Sequence, residues 1–180
     1  RIMERLVESG LITGLIDLTT TEIADLLCGG VLPALPERLD CIARTRIPYV
    51  GSVGACDMVN FWARDTVPDR YAQRLFYQHN TNVTLMRTTP EECVAIGAFI
   101  ARKLAACTGP VRFLLPLRGV SALDRIDGPF WAPEADAALF EAIRGGCDWS
   151  GDRRLIELDC HINDPEFAAA AASAFAEIAH

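Results

Sequence analysis

The dipeptide Pro-Glu occurs four times in this chain, at Pro36-Glu37, Pro90-Glu91, Pro133-Glu134 and Pro165-Glu166, each at the head of a helical pattern. Proline suits the first helical position because its missing N–H would go unpaired there in any case. The acid that follows it faces the positive end of the helix dipole. Three of the four dipeptides come after an apolar, β-like run and are separated from it by polar residues. Strands that feed helices in this way specify an α/β protein, whose strand ends and helix N-termini gather at one edge of the sheet.

The elements follow from apolar periodicity and punctuation. Strands are expected over residues 11–18, 47–53, 111–117 and 155–162, with short β-like pieces at 75–78 and 83–86. Helices are expected after Thr19, with Thr19 and Glu22 at capping-box spacing, and from Pro36, Thr89, Pro133 and Asp164. Gly29-Gly30 and Gly145-Gly146 read as helix stops, and residues 57–74 give no clear assignment. The sum is a single α/β domain over residues 1–180: a three-layer α/β/α sandwich with a mostly parallel, Rossmann-like sheet. A partial (β/α) barrel has the same periodicity, but a complete one takes about 250 residues. The chain opens at Arg1 inside a helical pattern over residues 1–8, so a longer parent protein is expected.

Composition narrows the function classes. Seventeen basic against 24 acidic residues leave a net charge of −7, which opposes binding to a nucleic-acid backbone. There is no apolar run of about 18 residues, so no membrane span is expected. The seven cysteines are odd in number, widely spaced and without a Cys-x-x-Cys pair. They read as small core residues of a reduced, cytoplasmic protein, and no metal site is expected from them.

Five polar clusters follow strands and should meet at one edge. They are Thr19-Thr20-Thr21-Glu22; residues 51–54 with Asp57 and Asn60; Arg87-Thr88-Thr89; Arg118-Gly119-Val120-Ser121; and His161-Ile162-Asn163-Asp164. Arginines, hydroxyls and helix N-termini together make a cradle for a phosphate or carboxylate. The same threonines and Asp164 read equally well as helix caps. His79 and His161, each beside an asparagine, could work with Asp57 as an acid–base pair, or each ring could simply bond a backbone carbonyl. No Walker loop and no Gly-x-Gly-x-x-Gly is present.

Several runs, taken together, carry a family likeness: residues 17–22, 29–31, 57–61, 83–89, 116–121 and 161–164. The chain resembles the C-terminal half of the two-domain family related to the plant tobamovirus-resistance ATP-binding protein. The resemblance implies a cytoplasmic α/β domain whose partner is the N-terminal half of the same protein. It also implies ATP or another nucleotide as cofactor of the full-length protein, handled chiefly by that other half. The expected function is binding of an anionic small molecule at the sheet edge. The alternative is an enzyme acting on a small carbonyl or phosphate compound. Oligomeric state is left open, a homo-oligomer included.

Overall fold

The computed structural model describes residues 2–179. In chain order the elements are α1 (Ile2–Glu8), β1 (Leu15–Thr19), α2 (Thr21–Cys28), α3 (Asp40–Thr45), β2 (Tyr49–Gly54), β3 (Met58–Phe61), β4 (Phe76–Asn80), β5 (Val83–Arg87), α4 (Pro90–Ala105), β6 (Val111–Pro116), α5 (Pro133–Gly146), β7 (Arg153–Leu158) and α6 (Pro165–Ile178). Arg1, the first residue of the expected opening helix, lies outside the described residues.

The main sheet is parallel, in the order β1-β2-β6-β7. Its register aligns Leu15 with Tyr49, Tyr49 with Val111 and Val111 with Arg153. The central strands β2 and β6 are buried along their whole length, as expected of strands covered on both faces. Alternation then sorts their side chains. Tyr49, Val53, Val111, Phe113 and Leu115 enter the larger core with α2, α4 and α5, while Val50 and Leu114 meet Phe167, Ala171 and Ala174 of α6. The three layers are therefore present, and among the described residues α6 is the helix that covers the second face. On the other face α4 presents the buried stripe Cys93, Ile96, Gly97, Ile100 and Leu104. A Cβ on Gly97 would lie 2.7 Å from the Leu139 carbonyl oxygen, so glycine is what lets α4 and α5 touch.

The stretch that the sequence left unassigned contains β3, which joins the β4–β5 hairpin in a second, antiparallel sheet ordered β3-β5-β4. Pro90, Pro133 and Pro165 each occupy a first helical turn. Pro36 does not: residues 36–39 form turns, Leu39 is left-handed at φ 76°, and α3 starts at Asp40. The capping box expected at Thr19–Glu22 does not form either. Thr20 holds the cap position, but its hydroxyl donates to the Ser52 carbonyl at 3.1 Å. Gly145 and Gly146 end up inside the last turn of α5. Strand β7 stops at Leu158, so His161 sits in the turn that follows it. No helix among the described residues is long and apolar enough to cross a membrane.

Candidate functional site

A cleft of about 400 Å³ opens at the C-terminal ends of β1 and β2, lined among others by Thr19, Gly54, Ala55, Ser121, Ala122 and Asn163. Backbone hydrogen bonds stitch its walls together. The N–H of Thr20 donates to Gly54, that of Ala55 to Val120, and that of Ile162 to Gly119, at 2.9–3.1 Å. Two residues on this rim have unusual backbones. Ala55 is left-handed at φ 57°, a conformation costly for any residue with a Cβ. Gly119 lies at φ 127°, and a Cβ there would meet the Asp124 carbonyl oxygen at 1.9 Å. No other residue fits that position.

Helices α2 and α6 start just after Thr19 and Asn163 of the cleft lining. At α2 the Thr20 hydroxyl is turned away, and at α6 the carboxylate of Asp164 accepts from the His161 N–H at 2.8 Å; neither helix has a side-chain cap bond. By contrast α4 is closed by a full capping box between Thr89 and Glu92. Beside the cleft, sharing Ala122 and Asn163 with it, a groove of about 420 Å³ is lined by Arg118, Arg125, His161 and Asp164. Arg118 is exposed and holds Asp159 in a two-pronged ion pair at 2.6 and 3.0 Å, and this contact lowers the Asp159 carboxyl below its ordinary range.

Beneath the cleft is a buried polar knot. The Ser121 hydroxyl donates to Asp57 Oδ2 at 2.7 Å and accepts the N–H groups of Leu123 and Asp124. Asp57 is fully buried, and that burial pushes its carboxyl up to about 6, with the Ser121 bond and Arg87 pulling it back. Arg87 donates to the Phe130 carbonyl, to Thr88 and to Asp136 at 2.7–2.9 Å, with Asp124 at 3.7 Å. His161 Nε2 reaches the carbonyls of Ser121 and Asp124 at 2.8 and 3.2 Å, while Nδ1 accepts from the Asn163 N–H. Carbonyls only accept, so the proton sits on Nε2 and the ring clamps the 121–124 loop.

The expected site residues thus divide. Thr19, Ser121, Asn163, Asp164, His161 and Arg118 line the cleft or its groove, and Gly119 accepts from the Ile162 N–H beside them. Asp57, Arg87 and Thr88 lie in the knot below, and Thr89 is an ordinary cap. Thr21 and Asn60 fasten α2 to β3: the Asn60 side chain donates to Asp25 and to the Thr21 hydroxyl. Glu22 turns to Arg38 on another side of α2. His79 stands exposed on β4 in the second sheet, and no hydrogen bond among the described residues joins it to His161 or Asp57. Ala55, Ala122 and Arg125 were not foreseen. Nothing in an alanine announces a left-handed backbone, whereas Ser121 and Asp124, three apart, did offer a turn signal.

The chain matches the model of the uncharacterised protein family (UPF0261) C-terminal domain over residues 1–179. It belongs to that family. A UPF0261 protein of Rhizobium meliloti is 61% identical over 180 residues, which is 100% of this chain and 45% of that protein. A UPF0261 protein of Clostridium tetani is 44% identical over 172 residues, 96% of this chain and 42% of the relative. The ToMV resistance protein Tm-1 of Solanum lycopersicum is 44% identical over 178 residues, 99% of this chain and 24% of that protein. The likeness read from the sequence runs is therefore shown. The chain spans less than half the length of these relatives.

Proposed function

We propose that this UPF0261 domain holds a small phosphorylated or carboxylated molecule in the cleft at the C-terminal edge of its main sheet. The observation that carries the reading is that α2 and α6 start just after Thr19 and Asn163 of the cleft lining, neither with a side-chain cap bond, while the neighbouring groove holds Arg118 and Arg125. The positive end of a helix dipole attracts negative charge, and an arginine can grip a carboxylate or phosphate with two parallel bonds. Thr19 and Asn163 supply side-chain donors on the cleft wall. Arg87, buried against Asp136, has no part in this role. The same reading extends to a nucleotide phosphate, ATP included, in the full-length protein, with the N-terminal half as the domain's partner. A cytoplasmic setting agrees with seven cysteines that all stand unpaired.

Calorimetry with inorganic phosphate, pyrophosphate and ATP tests the proposal. Arg118→Ala is expected to weaken the tightest of these by about tenfold, the scale of one charge-assisted contact. Unchanged affinity for every anion would remove the assignment. The acid–base enzyme is not carried forward, because His79 is on the other sheet and both ring nitrogens of His161 are engaged, Nε2 by the 121–124 loop and Nδ1 by Asn163 of its own turn.

A further inference from the structure

Away from the cleft, α1 and the 31–38 loop form a face with two adjoining pockets. One, of about 430 Å³, has Met3, Leu32 and Ala34 among its walls; the other, of about 280 Å³, has Arg5 and Arg44; Glu4 and Leu35 border both. Leu32 is 56% exposed and Leu35 43%. The loop that carries these leucines is not slack. Val31 donates its N–H to the Asn60 carbonyl of β3, Leu32 to the carboxylate of the fully buried Asp25, and Ala34 to the Glu22 carbonyl of α2, all at 2.8–2.9 Å. Glu4 of α1 accepts the Leu39 N–H at 3.0 Å and lies 3.5 Å from Arg38, which pairs with Asp17 and Glu22 at 2.6 Å. Leu39 bears a left-handed backbone to keep this arrangement. Helix and loop are thus one fastened unit, built on a buried carboxylate and a strained residue, and it turns two leucines to water. A slack loop could fold such side chains inward. Leucines held outward on a rigid frame make the apolar centre of an interface whose partner is a separate body.

We propose that this face docks the upstream half of the full-length protein. The matching family model is that of a C-terminal domain, and the UPF0261 relatives carry more than half of their length outside the match. A half that precedes this domain joins it at α1, the helix that helps to wall both pockets. Such a tether holds the partner at an effective concentration of about millimolar, so a few apolar contacts with a preformed surface suffice. Two free copies would need the larger patch, about 800 Å² on each partner, that lasting association takes. The expected contact is an apolar ridge of the upstream half seated over Leu32 and Leu35, with Arg5, Glu37 and Arg44 at its charged rim. The inference rests on the reading of that half as the domain's partner. It does not rest on an anion in the cleft, with which neither pocket shares a wall residue.

Thiol labelling of the full-length protein tests this. The native cysteines of the domain are all buried, so a cysteine placed on its surface is the one expected to react. Three variants are compared: Leu32→Cys, Leu35→Cys and, as the reference beside β4, Leu75→Cys at a position 54% exposed. Each reacts with a maleimide, the modified peptide is identified by mass, and the rate is taken relative to the same variant unfolded in urea. Exposure within the domain alone would give the three similar rates. Docking is expected to slow both loop positions by about tenfold or more against the reference, independently of protein concentration. The inference is overturned if either loop cysteine reacts as fast as the reference, or if the protection fades on dilution, which would give the face to a second copy. No anion enters the readout, so a failure here leaves the cleft assignment standing, and a failure of anion binding leaves this face standing.

Discussion

Asp136→Asn should stabilise this protein at neutral and alkaline pH while changing little in acid. Asp136 Oδ1 accepts from Arg87 Nη2 at 2.7 Å inside the knot, and the same arginine nitrogen lies 3.7 Å from Asp124 Oδ1. Burial and then the nearby Asp124 charge push the Asp136 carboxyl up to about 7, against the pull of Arg87. The sign follows from proton counting. Between its unfolded value near 3.8 and its folded value near 7, the folded protein keeps a proton that the unfolded chain has released. Stability is therefore greatest below that interval, falls as pH rises through it, and the loss is complete above the folded value. Each pH unit of that interval is worth about 1.4 kcal/mol, which gives a ceiling of about 4 kcal/mol. Asparagine keeps the shape and the oxygen that accepts from Arg87 but cannot ionise. Urea unfolding of both proteins at about pH 5 and about pH 8 should show Asp136→Asn more stable at the higher pH by about 2–4 kcal/mol. Taking the difference between the two proteins cancels the similar, smaller contribution of Asp57, and Asp159 and Glu177, whose carboxyls are lowered, titrate below this window. A variant less stable than the parent at pH 8, or an unchanged slope between the two conditions, would refute the reasoning.

Three further outcomes are expected. Asp159→Asn should release Arg118 from its two-pronged pair and tighten phosphate binding severalfold in calorimetry; weaker binding would mean that the pair orients Arg118 instead. Gly119→Ala places a Cβ 1.9 Å from a carbonyl oxygen at φ 127°, and should cost more than about 3 kcal/mol, seen as a fall of many degrees in Tm. Near-native melting would show that the 119–124 loop can shift to accommodate it. Thr89→Ala removes the side-chain half of the α4 capping box and should cost about 1 kcal/mol in urea unfolding, whereas no loss would put the helix start under the control of Pro90 alone.

The candidate site was legible to the extent that it is built from strand ends. Thr19, Ser121 and Asn163 do line one cleft, as expected of residues that follow parallel strands. Arg87 misled because it also follows a strand, but β5 belongs to the antiparallel sheet and delivers its side chain into the interior. His79 lies near the end of a strand, but on β4 of that second sheet. A one-dimensional pattern records that a polar residue ends a strand, not which sheet the strand joins. Arg38 escaped notice for a related reason: its partners Glu4, Asp17 and Glu22 come from three separate elements.

Local chemistry, then, was enough to set the α/β class, three of the four Pro-Glu helix starts, the capping box at Thr89 and the buried stripe of α4. Each of these depends on neighbours within about four residues, where dihedral preference and helical period act directly. The second sheet, the left-handed Ala55 and Leu39, the lack of side-chain caps on α2 and α6, and the buried arginines were decided only when distant segments packed. A hydroxyl near a helix start can cap it or turn elsewhere, and a buried carbonyl such as that of Ser52 settles the competition for Thr20. Desolvation and packing arise between elements, so no stretch of sequence carries them alone.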